Sequence, residues 1–128
     1  MQAQLGGRDP IHSTALGKAV LAFLPEDRWP AHLPSDLTPR TERTVVSRGR
    51  VQQALAQARE RGYAFDDEEN EEGARCIAAP IFNHQGQAVA AVSLAAPASR
   101  MADRLLPKAA AAVTQTAGEI SKRLGYQG

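Results

Sequence analysis

The feature that most constrains this chain is a pair of apolar runs separated by a turn. The runs, Ala74 to Phe82 and Ala88 to Ala96, flank the polar segment Asn83 to Gly86, and together they predict an antiparallel hairpin. Because neither run alternates with polar residues, both faces of the hairpin must be covered. We expect helices on one face and an enclosed space on the other.

The register of this hairpin decides which polar side chains face each other. In a symmetric loop of two or four residues, Cys76 pairs with Ser93 and the two side chains share one face of the sheet. A three-residue loop shifts the pairing by one and separates them. Gly86 at a bulge position leaves this second register open. Asp66, on the strand just upstream, is the third polar side chain of interest.

The segments around the hairpin predict helices and one more strand. Caps, stop signals and helical spacing predict four helices: Ser13 or Thr14 to about Leu24, Glu26 to Ala31, Arg48 to Arg61, and one within Ala102 to Leu124. Alternation over Tyr63 to Asp67 predicts a strand that places Asp66 on the same side as Ala64. These elements give an α+β fold built on a mostly antiparallel sheet.

The last of these helices has a predicted buried stripe. Its apolar residues at helical spacing are Val113, Ala117, Ile120 and Leu124. Pro107 is predicted to mark its first turn. We therefore expect this helix to lie on the sheet through those four side chains.

Composition excludes several classes of protein. Fifteen Lys and Arg balance fourteen Asp and Glu, so no overall field directs the chain to nucleic acid or an anionic membrane. A single cysteine excludes an intramolecular disulfide and a multi-thiolate metal site. No apolar segment approaches the ~20 residues of a membrane span. Residues 1–9 are predicted to be a disordered lead-in without a secretory signal, which indicates a cytoplasmic protein.

Cys76 and the acidic run Asp66 to Glu72 have chemical interpretations that need weighing. A nucleophilic Cys76 needs a nearby base or positive charge, whereas the acidic run would raise the pKa of its thiol. A buried apolar role or a pocket-lining role is therefore favoured. The acidic run lacks the glycine turn and ligand spacing of a calcium loop, which favours a solvated loop with Asp66 turned inward. We expect no metal, no cofactor and no catalytic residue, and keep an enzyme using Cys76 and Asp66 as an alternative.

Two segments carry a resemblance to a known family. The first segment contributes Gly62, Asp66, Glu69 and Cys76 in order, and the second is the run His12 to Lys18, which reads HSTALGK. Together they resemble the signature of the IclR family of bacterial transcriptional regulators, specifically its effector-binding domain. The resemblance covers roughly Pro10 to Tyr126.

The resemblance implies a GAF-like fold for residues 10–128, incomplete at the N-terminus and without the first strands of the family domain. It also implies a small organic-acid effector and self-association to a dimer or tetramer. DNA would be bound only through a winged helix-turn-helix domain that this chain lacks. The implied effector-binding residues are Thr14, Ala15, Leu16, Asp66, Cys76, Ser93 and Ala95. An assembly module with a vestigial pocket is the alternative.

The implied pocket leads to an expected orientation of the effector. Asp66 would repel a carboxylate beside it, so we expect the anionic end near the free amides of Ala15 to Gly17 at the start of the first helix. Asp66 would then accept a hydrogen bond from a hydroxyl. Cys76 and Ser93 would line the opposite wall, while Ala95, a serine in some family members, would leave room for a bulkier group.

Overall fold

The computed structural model describes residues 14–33, 37 and 39–128. The predicted lead-in and the alternative cap at Ser13 lie outside them. The described residues form the helices α1 (Ala15–Ala22), α2 (Trp29–His32), α3 (Arg48–Arg61) and α4 (Leu106–Arg123), and the strands β1 (Ala64–Asp67), β2 (Ala74–Phe82) and β3 (Ala88–Pro97). Single 3-10 turns, Glu26–Arg28 and Asp103–Leu105, precede α2 and α4. The predicted α+β fold is confirmed.

The ends of α1 and α3 follow from their capping residues. Thr14 has an extended backbone, and its hydroxyl accepts from the amide of Gly17 at 3.1 Å, which caps α1. Helix α1 ends at Ala22, earlier than expected, because the next two amides bond to carbonyls three residues back. Helix α3 ends at Gly62, whose φ of +91° lies in the left-handed region that favours glycine.

The strands form an antiparallel sheet in the order β1-β2-β3, but the hairpin register differs from the expected one. Cys76 pairs with Ala95, and Ser93 pairs with Ala78. Two changes together shift the pairing register by two residues. The loop between the strands is longer than expected, and Val89 is an extra residue at a bulge. Because a shift of two preserves the alternation of a strand, Cys76 and Ser93 still share a face.

Helices cover both faces of the sheet. On one face, α1 lies directly against the strands and α3 packs on α1 and β1. Small side chains let α1 approach closely: Ala15, Ala19 and Ala22 are fully buried with Ala64, Cys76 and Ala78. On the other face, α4 buries Val113 and Ala117 against Ile77, Ala79 and Ile81. No helix in the described part of the chain is both long and apolar enough to cross a membrane.

The buried stripe of α4 differs from the predicted one at its C-terminal end. Ile120 and Leu124 are exposed, and Ser121 is buried in their place. Val113, Ala117 and Ser121 follow each other by one turn, so they lie on one line along the helix. The Ser121 hydroxyl accepts from the amide of Phe82 at 2.9 Å and donates to the carbonyl of Ala117 at 2.8 Å. Its hydrogen bonds therefore make burial of a polar side chain acceptable.

Strand β3 lies at the edge of this sheet. Its side chains are mostly exposed or half-buried, and they include the exposed apolar residues Val89 and Leu94. An edge strand leaves a row of backbone groups that bond to no neighbouring strand within the described residues. The backbone of β3 on the side away from β2 is therefore available for pairing with another strand.

Candidate functional site

Strand pairing places three of the predicted site residues in one row across the sheet. Asp66 on β1 pairs with Cys76 on β2, and Cys76 pairs with Ala95 on β3. Ser93 lies in the next row, two residues along β3, on the same face. This face is the one that α1 covers.

The start of α1 contributes the other predicted residues. Thr14 and Ala15 are buried, and Leu16 is half-buried against the same core. The amide of Gly17 is not free for a ligand, contrary to expectation, because it donates to the hydroxyl of Thr14. This capping bond is the usual way in which the first turn of a helix satisfies an amide. Any anion at this end must therefore use other donors.

Asp66 is buried on the α1 face, with only 3% of its surface exposed. One of its oxygens, Oδ1, accepts from the amides of Glu69 at 2.8 Å and Asn70 at 3.3 Å. The pKa of Asp66 is raised from 3.8 to about 6, chiefly because burial penalises the charged carboxylate. The amide of Glu69 and the positive charge of Lys18 oppose this rise. Asp66 therefore titrates much closer to neutral pH than an ordinary aspartate.

Cys76 is a buried thiol rather than an activated one. Its pKa is raised from 9.0 to about 11, first because of burial and second because of the charge of Asp66. A hydrogen bond with Ser93 acts in the opposite direction. Since the thiolate is the nucleophile in cysteine chemistry, a thiol with this pKa is poorly suited to catalysis at neutral pH. The arrangement fits a small polar group that lines a wall.

Sequence reasoning gave no role to Lys18, although it lies in the HSTALGK run. Only 4% of Lys18 is exposed, and its Nζ donates to both carboxylate oxygens of Glu69 at 3.0 Å and to the carbonyl of Phe65 at 2.7 Å. It therefore ties α1 to the end of β1 and to the acidic run. The sequence signal for its role was its position, one turn after the capping Thr14 and on the side of α1 that carries buried residues.

The acidic run is less solvated than predicted. Glu71 and Glu72 are exposed, but residues 67–69 are half-buried and Asn70 is buried. The hydroxyl of Thr44 donates to the carbonyl of Glu69, and that of Thr41 donates to the carbonyl of Glu68 at 2.6 Å. These bonds hold the run against the segment before α3. The loop that carries the amide partners of Asp66 is consequently fixed on two sides.

The acidic side chains near this site are engaged in an ion pair and in hydrogen bonds to backbone amides. Across residues 14–33, 37 and 39–128, no three His, Cys, Asp or Glu side chains come together as a metal site would require. Lys18 occupies the position beside Glu69 that a cation would take. Among the described strands, the polar side chains on the α1 face are those of Asp66, Cys76 and Ser93, which suit hydrogen bonding to a small organic molecule.

Comparison with known proteins identifies the family of this chain. The family model described as bacterial transcriptional regulator IclR C-terminal matches residues 1–122. The HTH-type transcriptional regulator XynR of Escherichia coli K12 is 42% identical over 125 residues, which cover 97% of this chain and 50% of XynR. The chain thus spans about half the length of this curated relative.

Solved structures of IclR-type regulators resemble this chain as well. The Thermotoga maritima IclR structure superimposes with a TM-score of 0.91 at 38% identity, covering 98% of this chain and 51% of that one. The inducer-binding domain of PobR from Acinetobacter, a double mutant in complex with 3-hydroxybenzoic acid, has a TM-score of 0.82 at 28% identity, covering 92% and 69%. The matched relatives are regulators rather than enzymes, which supports a non-enzymatic family. This chain belongs to the IclR family of bacterial transcriptional regulators and corresponds to their C-terminal domain.

Proposed function

We propose that this domain binds a small organic-acid effector beneath α1 and self-associates as part of a cytoplasmic transcriptional regulator. The observation that carries the proposal is the row of Asp66, Cys76 and Ala95 on the face of the sheet that α1 covers, beside Ser93. These residues are the ones that the family resemblance assigned to the effector, and the fold brings them to one face. The acid in the PobR complex supports the chemical class of the ligand.

The residues have distinct roles in the proposed pocket. Thr14, Ala15 and Leu16 form the wall on α1, while Cys76 and Ser93 set the size and polarity of the wall on the sheet. Asp66 supplies a hydrogen-bonding group at the β1 end. Ala95 is exposed on the edge strand, so a ligand would enter from the β3 side.

A thermal-shift screen of small organic acids tests this function. A site filled at a hundredfold over the dissociation constant adds about 2.7 kcal/mol to the free energy of unfolding. We expect at least one acid to stabilise the wild type and to leave Cys76→Trp unaffected, because the indole would occupy the proposed pocket. Ser93→Ala should weaken the same acid by about 1 kcal/mol through one lost hydrogen bond.

Two controls make the screen decisive. Circular dichroism must show that both variants are folded, and Thr116→Ala, on the exposed side of α4, should respond like the wild type. Unchanged affinity in folded Cys76→Trp would place the pocket elsewhere. A wild type that no acid stabilises would favour the alternative of an assembly module with a vestigial pocket.

We propose further that DNA recognition belongs to a winged helix-turn-helix domain separate from these residues. The chain has a net charge of +1, and no described segment forms a helix-turn-helix with a basic recognition helix. Electrophoretic mobility shift at physiological salt should show no preference of this polypeptide for a promoter fragment over random DNA. A specific, competitor-resistant shift would contradict the proposal.

A further inference from the structure

The carboxylate of Asp66 is hydrogen-bonded on one side only. Both of its hydrogen bonds go to Oδ1, from the amides of Glu69 and Asn70. The second oxygen, Oδ2, accepts no hydrogen bond from any residue that the structure describes. The residue as a whole is 97% buried, but Oδ2 itself is not fully enclosed. This oxygen is the open hydrogen-bonding position of the site.

The cation nearest to Asp66 is already neutralised. Lys18, the charged group that α1 brings to this site, donates to both oxygens of Glu69 and to the carbonyl of Phe65. The acidic run contributes Glu69 itself, and β2 contributes Cys76, a neutral thiol at physiological pH. Strand β3 adds Ser93 and Ala95, which do not titrate. Lys18 and Glu69 cancel, so the described groups supply no net positive charge for a bound acid.

An ionised Asp66 and an ionised ligand would therefore be two uncompensated negative charges on a buried face. Two carboxylates within hydrogen-bonding distance share one proton, because both cannot ionise at low cost. The elevated pKa of Asp66 makes it the group that takes up this proton. The acid itself stays ionised at neutral pH.

We propose that Asp66 binds an organic acid in its protonated form, with Oδ2 donating a hydrogen bond to the acid and Oδ1 keeping the amides of Glu69 and Asn70. Each binding event then takes one proton from solvent onto Asp66 and releases it when the acid leaves. This inference rests on the proposed function and replaces an accepting Asp66 with a donating one. It makes effector affinity depend on pH in the neutral range.

Isothermal titration calorimetry with pyruvate and with 3-hydroxybenzoate, in phosphate and in Tris at each pH, tests the inference. The difference between buffers of unlike ionisation enthalpy gives the number of protons taken up. We expect uptake approaching one proton at pH 7 to 8 and an association constant that falls about tenfold per pH unit there. The exposed carboxylate variant Glu119→Gln should show the same values as the wild type.

Two substitutions at Asp66 separate a donor from an acceptor. Asp66→Asn places an amide N–H where the protonated carboxyl would donate, so we expect it to bind at pH 8 at least as tightly as the wild type, without proton uptake. Asp66→Ala removes the donor and should lose about tenfold in affinity at pH 6. If Asp66→Asn is folded but binds at least tenfold more weakly than the wild type at pH 8, Asp66 is an ionised acceptor and the inference is wrong.

A measurement without ligand completes the test. Carbon-13 NMR of the aspartate side-chain carboxyls should show the Asp66 signal titrating near pH 6, identified by its loss in Asp66→Asn. A signal fully ionised at pH 5 contradicts the inference. If the acids bind without proton uptake, the inference is wrong and the proposed function stands. If neither acid binds although Asp66 titrates near pH 6, the proposed function fails for these acids and the inference fails with it.

Discussion

At the scale of single residues, the site depends on charged side chains that are buried together. Lys18 and Glu69 form an ion pair with side-chain exposures of 5% and 14%, and Asp66 lies beside them. Burial of an ion pair costs desolvation energy, which the pair recovers only when its geometry is good and its other hydrogen bonds are made. The third bond of Lys18, to the carbonyl of Phe65, meets that condition.

Removing Lys18 should destabilise the domain strongly. Lys18→Met removes the counter-charge of the Glu69 carboxylate and the donor to the carbonyl of Phe65, so we expect a loss of about 3–5 kcal/mol in the free energy of unfolding, measured in urea. Lys18→Met combined with Glu69→Gln should recover part of the loss, since the uncompensated charge is then gone. A loss below ~1 kcal/mol would mean that the pair is not buried.

An exposed ion pair provides the matched control. Nη1 of Arg59 and Oε1 of Glu26 lie 3.6 Å apart, and the two side chains are 38% and 68% exposed. Glu26→Gln removes the same type of interaction from water-accessible surface, where such pairs contribute about 0–1 kcal/mol. We expect its urea midpoint to match that of the wild type.

Asp66 should make stability fall as pH rises. Its pKa is about 6 when folded and near 3.8 when unfolded, so the folded state holds the proton more tightly. The stabilising contribution is complete below pH 3.8, declines between the two values and is lost above about 6. Urea unfolding from pH 3 to 8 should therefore show the wild type losing stability relative to Asp66→Asn across this window. A constant difference between the two proteins would exclude the raised pKa.

At the scale of elements, α4 is fixed to the hairpin by Ser121 but leaves part of itself uncovered. Its exposed Gly118 lies beside a cleft of about 160 Å³ that Phe23, Phe82 and Tyr126 also line. A Cβ added at Gly118 would meet no atom within 4 Å outside its own helix and neighbours. Close packing therefore does not explain a glycine in the middle of this helix.

Gly118→Ala should stabilise the domain by about 1 kcal/mol, because alanine has the higher helix propensity and the new methyl group meets no clash. Gly62→Ala is the matched comparison, since it also has open space around the added Cβ but a φ of +91°. We expect this variant to lose about 1–2 kcal/mol from the left-handed backbone alone. Equal effects of both substitutions on the urea midpoint would contradict the left-handed backbone of Gly62 and the ordinary helical backbone of Gly118.

At the scale of the whole molecule, helices cover both faces of the sheet, and the edge strand β3 pairs with no further strand among the described residues. Leu94, 43% exposed, lies on the α4 face of this edge strand, and Val89 bulges from its start. Exposed edges with apolar side chains promote association with another strand. The proposed self-association therefore has an available surface on β3.

We expect multi-angle light scattering to show a dimer at micromolar concentration, since closed two-fold pairs are the commonest assemblies. Leu94→Lys should shift it toward monomer by placing a charge on the edge. Val46→Lys is the control, because Val46 is 53% exposed in the segment before α3, away from the edge. A monomeric wild type would exclude self-association. A Leu94→Lys dimer as stable as the wild-type dimer would place the interface elsewhere.

Local chemistry determined much of this fold. Thr14 acted through its cap and Gly62 through its backbone freedom, while the two apolar runs acted through their continuous hydrophobicity. Each of these signals spans a few residues and can be read from the sequence. The alternation of β1 likewise placed Asp66 on the inner side. The family pattern then pointed to the residues that the sheet gathers under α1.

Only tertiary structure decided the interactions between distant segments. The pairing of Cys76 with Ala95 depends on a bulge and a longer loop, and no single residue specifies their combination. Ser121 is buried instead of Ile120 because its hydroxyl reaches the amide of Phe82. Lys18 meets Glu69 because α1 packs across β1. Such outcomes depend on contacts far apart in the chain, where geometry rather than local propensity sets the free energy.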